Sequence, residues 1–289
     1  MTYKRIYEFL VWDNCNNNCQ FCWQREKPRL YDHTTRGLIL EEVIKFIQSD
    51  KFIKGSHILV CGGEIFDKPS DFSILSNFFS TIIQFMKKDI IELLYINTNL
   101  IYLNINGVYD LLEQLKEANL IDRIRFTTSY DIEGRFKSER DRSIMLTNLE
   151  TIGQKYPNMH IVANTILTKP ACKAILDGKF NIAEFMKRNN CWVNLIPYIV
   201  LDEKLTADRN TIFQTLKYVE KLSPGYLYKY VPNMTIKQEK WLYMYKDGEF
   251  QFCSCENSPE CEHSVNFKKY CKEGTCFCCD LEEVFNAFI

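Results

Sequence analysis

The sequence predicts an α/β protein: a partial (β/α)6 TIM-like barrel followed by a small C-terminal cysteine-rich metal-binding extension. Two observations carry this. From residue 6 to about 200, short β-rich runs alternate with helical patterns, and after residue 200 that alternation stops and cysteines crowd the tail. Strands separated by helices pair in parallel through right-handed crossovers and are buried on both faces. Six units fall short of the eight that close a complete barrel, so the sheet stays open. At 289 residues, 46% of them hydrophobic, the chain has the material for a sizeable core.

The strands are expected near 7–12 (YEFLVW), 57–61 (HILVC), 93–98 (LLYINT), 123–129 (RIRFTTS), 160–167 (HIVANTIL) and 191–198 (CWVNLIPY). Helical periodicity falls between them at 38–48, 72–87, 108–118, 143–155 and 181–189. A further helix near 208–222 leads to the turn signal Ser223-Pro224-Gly225. Asp247-Gly248 between alternating apolar residues predicts a β-hairpin, and LEEVFNAF predicts a closing helix. The expected domains are 1–205, the partial barrel, and 206–289, which holds the helix, the hairpin and the cysteine-rich region.

With 36 basic against 37 acidic side chains, a formal charge of −1 gives no global field for a polyanion, so nucleic-acid binding is not supported by charge. The Tyr- and Lys-rich stretch 217–246 offers stacking faces, but hairpin packing with solvated lysines accounts for it more simply. The N-terminal apolar run is interrupted by Glu8, too short for a signal peptide, and no segment approaches a membrane span. A cytoplasmic protein is expected.

Thirteen cysteines in such a chain point to metal or redox chemistry. Cys15, Cys19 and Cys22 form one group, and Cys253, Cys255, Cys261, Cys271, Cys276, Cys278 and Cys279 another. Cys61, Cys172 and Cys191 are scattered and read as small buried hydrophobes. The first group has the spacing of one helix face, but Asn16, Asn17 and Asn18 compete with helical hydrogen bonding and tolerate left-handed backbone. A wrapping loop with inward N–H groups fits better, and such groups stabilise negative sulfur. Three close thiols without a nearby histidine are an unusual zinc set, whereas iron–sulfur clusters take thiolates at such intervals. Three thiolates on four irons leave one iron open to a ligand.

The run Cys15-Asn-Asn-Asn-Cys19-Gln-Phe21-Cys22, placed directly after the first expected strand, resembles the cluster motif of the radical S-adenosylmethionine (SAM) enzymes. Gly62-Gly63-Glu64 at the end of the second strand is similar to that family's G-G-E motif, with Ile65 where a proline is frequent. Glycines permit close backbone approach, and the carboxylate would accept hydrogen bonds from an ammonium. Ser129-Tyr130-Asp131 resembles the S-x-D segment of the SPASM/twitch subgroup, Asn97-Thr98-Asn99 a T-N-G segment lacking its glycine, and 164–169 the fifth-strand segment.

The resemblance implies that Phe21 lies beside the adenine and that Gly62, Gly63 and Glu64 hold the SAM amino group. It gives Ser129 the ribose or carboxylate region and Arg142 the carboxylate, with Arg140 competing; Asp131 completes the segment. It further implies that SAM chelates the open iron, that the reduced [4Fe-4S] cluster cleaves the sulfur–C5′ bond, and that a 5′-deoxyadenosyl radical abstracts hydrogen from substrate. The protein's share is orientation and exclusion of water.

Gly248-x4-Cys253, Cys255-x5-Cys261 and Cys276-x2-Cys279 resemble fragments of the SPASM signature, although the cysteine preceding the glycine is absent and the order of spacings differs. An auxiliary [4Fe-4S] cluster is expected there, with zinc or metal-free redox cysteines as alternatives and His263 as a further candidate ligand. Expected partners are a peptide or protein side chain, or alternatively a nucleotide, nucleic acid or other small molecule, as substrate, and an electron donor such as flavodoxin or ferredoxin. A non-catalytic iron–sulfur or zinc protein is the competing class; the GGE segment, Ser129 and Arg142 argue against it, since a sensor needs no SAM pocket.

Overall fold

A computed structural model of the chain describes residues 5–17, 19, 22, 33–101, 105–197, 204–227, 240–246 and 249–253. Its first six strands are β1 (Ile6–Trp12), β2 (Ser56–Gly62), β3 (Ile91–Asn97), β4 (Ile124–Ser129), β5 (His160–Leu167) and β6 (Trp192–Pro197). Between and after them run α1 (His33–Gln48), α2 (Phe72–Lys87), α3 (Ile105–Glu117), α4 (Glu139–Lys155), α5 (Lys169–Leu176), α6 (Ile182–Asn189) and α7 (Arg209–Leu222). Six parallel strands alternate with helices in an open sheet, the α/β architecture that the sequence predicts. The closing helix expected from LEEVFNAF lies outside the described residues.

Two departures have physical causes. Helix α1 begins at His33 rather than near residue 38, because its first turn carries Thr34, Thr35 and the buried Arg36 before the apolar periodicity starts. Helix α5 was not anticipated, since Pro170 reads as a breaker. Proline is tolerated in a first helical turn, and Thr168 caps the helix by accepting from Ala171 N.

The hairpin forms as expected, with β7 (Lys240–Lys246) antiparallel to β8 (Glu249–Cys253). Its destination was not legible: β7 pairs in parallel with β1, from Ile6↔Lys240 to Leu10↔Met244. The β1 edge is thereby covered rather than left as an open row of hydrogen-bonding groups.

The chain divides into two compact units. The first holds β1–β4, α1–α4, the start of β5 and the β7–β8 hairpin; the second holds residues 130–134, the rest of β5, α5, α6, β6 and α7. In the first unit the hydrogen-bonded order is β4-β3-β2-β1-β7-β8. Register aligns Phe9, Val60, Ile96 and Phe126 in one row, each no more than 1% exposed. That row forms the helix-covered side with the buried faces of α1 (Ile39, Val43) and α2 (Phe79, Ile82). The second unit has its own core around Leu167, Ile175, Val193, Leu195 and Leu216. There Trp192 stacks on Tyr226, whose hydroxyl donates to Val193 O at 2.9 Å. Cys61 and Cys172 are buried, while Cys191 is half-buried with its thiol pushed up to about 12 by burial. No helix among the described residues is long and apolar enough to cross a membrane.

Phe126 closes the helix-side row, so Phe126→Ala is expected to destabilise the protein by about 3–5 kcal/mol, read by urea unfolding. A loss below about 1 kcal/mol would show that this row is not close-packed.

Candidate active site

The cysteine loop begins where β1 ends, and its neighbour is the end of β2. Gly63 N donates to Trp12 O and Glu64 N to Asn14 O, both at 2.8 Å. The approach leaves no room for a side chain. A Cβ on Gly62 would lie 1.9 Å from Trp12 O, and one on Gly63 would lie 1.7 Å from Asn14 O. Gly62 also holds φ +149, in the region that favours glycine. The glycines thus admit the backbone of the cysteine loop.

Glu64 is fully buried, and its carboxylate is already engaged. Oε1 accepts from Phe66 N at 3.0 Å, Oε2 accepts from Asn99 N at 2.6 Å, and the Thr98 hydroxyl donates to both oxygens at 3.0 and 2.9 Å. The carboxylate therefore ties the β2 end to the segment after β3. Burial pushes its pKa up from 4.5 to about 7, against the pull of the Asn99 and Phe66 N–H groups and the Thr98 hydroxyl.

The segment after β3 passes the restraint on to sulfur. Asn99 Nδ2 donates to Cys15 Sγ at 3.5 Å and to Asn16 Oδ1 at 2.8 Å, and Asn16 Nδ2 donates to Ile101 O. Asn17 N also donates to Cys15 Sγ, at 3.4 Å, so a loop amide does turn inward to sulfur. Leu100 follows with φ +57, the left-handed conformation a glycine would supply. Its side chain is buried and its carbonyl accepts from Asn148 Nδ2 at 2.8 Å, which hold a backbone costing about 1–2 kcal/mol.

A second layer lies beneath. Arg36 is fully buried, donates to Asp71 and to Ile65 O, sits 3.7 Å from Asp67 and stacks 4.4 Å from the Trp12 ring. It links α1, the segment after β2 and the end of β1. Nothing in the sequence separates it from an ordinary surface arginine in a first helical turn.

Burial, reinforced by the charges of Glu64 and Cys19, pushes the Cys15 thiol up to about 11, although the Asn17 and Asn99 donors oppose this. A free thiol here stays protonated, and a metal would displace the proton. Cys19 is buried and receives Arg135 Nη1 at 3.6 Å; Lys137 Nζ donates to Asn16 O at 2.5 Å. Cys22 N donates to Cys19 O at 3.2 Å. Among the described residues, no three of His, Cys, Asp and Glu gather into an ion-binding group. The donor chemistry still fits an iron–sulfur cluster: thiols on one loop, with N–H donors already aimed at two of the sulfurs.

Arg135 and Lys137 were missed by sequence reasoning, which weighed Arg142 and Arg140. Arg142 pairs with Glu139 at 3.2 Å and lies 5.6 Å from the Phe136 ring, and Arg140 is exposed. The separating signal was Ser138-x-x-Asp141, a capping pattern in which Ser138 accepts from Asp141 N. Basic residues before that cap belong to the loop, and those after it belong to α4.

Ser129 is half-buried at the end of β4. In the second unit, Asp131 is buried and accepts from Ile166 N at 2.7 Å, a structural use of the carboxylate. Cys253 is the last residue of β8, opposite Leu242. Phe21, Cys255, Cys261, Cys271, Cys276, Cys278, Cys279 and His263 lie outside the described residues.

Residues 9–129, less than half of the chain, match the model of the Radical SAM superfamily. No curated protein matches the sequence. Among solved structures, the chain is similar to native anSMEcpe with bound AdoMet, at 12% identity and a TM-score of 0.52, covering 81% of this chain and 67% of that one. It is also similar to a hexahistidine-tagged form of anSMEcpe with bound AdoMet, at 12% identity and a TM-score of 0.53, covering 78% of this chain and 60% of that one. The chain thus spans about three fifths to two thirds of those structures, and at such identity the likeness concerns the fold.

The raised pKa of Glu64 has a definite sign for stability. Below pH 4.5 both folded and unfolded carboxyls hold their proton; between 4.5 and about 7 the unfolded chain ionises first. Stability should therefore fall across that window, by about 3 kcal/mol from this group, and then level off. Urea unfolding as a function of pH checks this: Glu64→Gln is expected to flatten the slope, and an unchanged slope would remove Glu64 as its source.

Proposed function

We propose that the chain is a radical SAM enzyme that uses its cysteine loop to hold a [4Fe-4S] cluster and acts on an organic substrate by hydrogen abstraction. The observation that carries this reading is the position of the three-cysteine loop. Within the matched residues 9–129 it is pinned by Gly62, Gly63 and the Glu64–Thr98–Asn99 brace, with donors at its sulfurs. When bound and reduced, the cluster supplies the electron that cleaves SAM to methionine and a 5′-deoxyadenosyl radical.

Cys15, Cys19 and Cys22 would hold three irons of the cluster, and the fourth would be open to the amino and carboxylate groups of SAM. With the Glu64 carboxylate engaged, the amino group is served by backbone carbonyls of the Gly62–Glu64 segment. Phe21 would meet the adenine, Ser129 the ribose or carboxylate region, and Arg142 would leave Glu139 to meet the carboxylate. The SPASM/twitch likeness of the tail assigns an auxiliary [4Fe-4S] cluster to Cys253, Cys255, Cys261, Cys271, Cys276, Cys278 and Cys279, with zinc as the alternative metal. The same likeness supports a peptide or protein side chain as substrate, and one-electron chemistry calls for a donor such as flavodoxin or ferredoxin.

Anaerobic reconstitution with iron, sulfide and zinc analysis, followed by an assay for 5′-deoxyadenosine, tests the reading. About four irons per chain would mean one cluster and about eight would mean two. Single alanine replacements of Cys15, Cys19 or Cys22 should abolish 5′-deoxyadenosine formation; full retention in Cys22→Ala would contradict the assignment. Donors at cluster sulfurs stabilise the reduced, more negative state, so Arg135→Met and Asn99→Ala should both lower the cluster's reduction potential. A redox titration followed by electron paramagnetic resonance reads this, and potentials equal to that of the unaltered chain would remove both residues from that role.

A further inference from the structure

Strand register in the first unit places Glu8, Leu59, Tyr95 and Arg125 in one row across β1, β2, β3 and β4. Side chains alternate along a strand, so this row lies on the face opposite the buried Phe9–Val60–Ile96–Phe126 row. All four members are half-buried. The Arg125 guanidinium lies 5.4 Å from the Tyr95 ring centroid, and the Tyr95 hydroxyl is 3.4 Å from His57 Nδ1. The ring is therefore held, and it serves as a shelf for the cation.

Among the described residues Arg125 makes no hydrogen bond or ion pair, and its Nε is buried without a partner. The carboxylate in its own row, Glu8, is three strands away, about 14 Å at ordinary strand spacing. Glu8 instead receives the Cys61 thiol at 3.5 Å. A partly desolvated guanidinium with an unanswered N–H is costly, and the group that relieves it best is a planar or tetrahedral anion accepting two parallel bonds.

We propose that the Arg125–Tyr95 shelf binds an anionic group of the substrate, a carboxylate or a phosphate. Arg125, Thr127 and Ser129 share one face of β4, and Ser129 is the SAM-side candidate at the strand's end. The shelf lies four residues deeper, about 13 Å of strand. The substrate thus extends from its anion toward the strand ends, with the reacting carbon placed away from the charge. This geometry rests on the radical SAM reading for where the chemistry occurs; the anion site itself does not.

The test is thermal unfolding of the full chain in acetate, in inorganic phosphate and in chloride at matched ionic strength. The unaltered protein should be stabilised saturably by acetate or phosphate beyond chloride, and the stronger of the two identifies the group. For Arg125→Met the half-effect concentration should rise by about tenfold or more. Arg125→Lys keeps the charge but loses the fork, and should weaken the response as well, which carries the test if the Met variant does not fold. Equal responses in the unaltered protein and the variants, or no response beyond chloride, would overturn the proposal. The readout needs neither iron nor SAM, so an Arg125-dependent response in a chain that binds no iron would sink the enzyme reading alone.

Discussion

The site depends on one close contact between backbones. Where β2 ends, Gly62 and Gly63 approach Trp12 O and Asn14 O so closely that any Cβ would overlap them. Two amide hydrogen bonds are made across this gap. The cysteine loop is thereby fastened at its root, and the remaining contacts extend that anchorage outward. Glu64 follows directly and turns its carboxylate inward to Thr98 and Asn99, and Asn99 in turn reaches Cys15. Three successive strand ends are joined in one chain of hydrogen bonds that ends on a sulfur.

The cost of this arrangement lies in burial. Glu64 and Arg36 are both fully buried ionisable groups, and desolvation is the largest influence on each. Arg36 is compensated by Asp71, by Ile65 O and by the Trp12 ring; Glu64 is compensated by two amides and a hydroxyl. The Glu64 carboxylate is satisfied without a ligand, and the Arg36 guanidinium keeps only its Nε without a partner. Arg125 differs in having the Tyr95 ring beside it and, among the described residues, no carboxylate or carbonyl that accepts from it.

Much of the fold was legible in the sequence, since hydrophobic periodicity reports burial directly. All six parallel strands are found within about two residues of their expected limits, and α2 spans the expected 72–87. What periodicity cannot report is a helix whose start is polar or contains proline, as in α1 and α5, or the partner of an added strand, as with β7 and β1. At the site, residue types were more legible than their contacts. The glycines and Glu64 stood out as a motif, yet their partners are the cysteine loop and the segment after β3. Arg135 and Lys137 were hidden beside the similar basic residues Arg140 and Arg142, and the Ser138 cap alone separates loop from helix.

If Cys15, Cys19 and Cys22 alone hold the cluster, one iron is free for SAM. Electron–nuclear double resonance on the reconstituted, reduced chain tests it most directly, with SAM isotopically labelled at its amino nitrogen and carboxylate oxygens. Hyperfine coupling from both labels to the cluster is the expected result. A cluster signal that SAM leaves unchanged, with coupling from neither label, would contradict it.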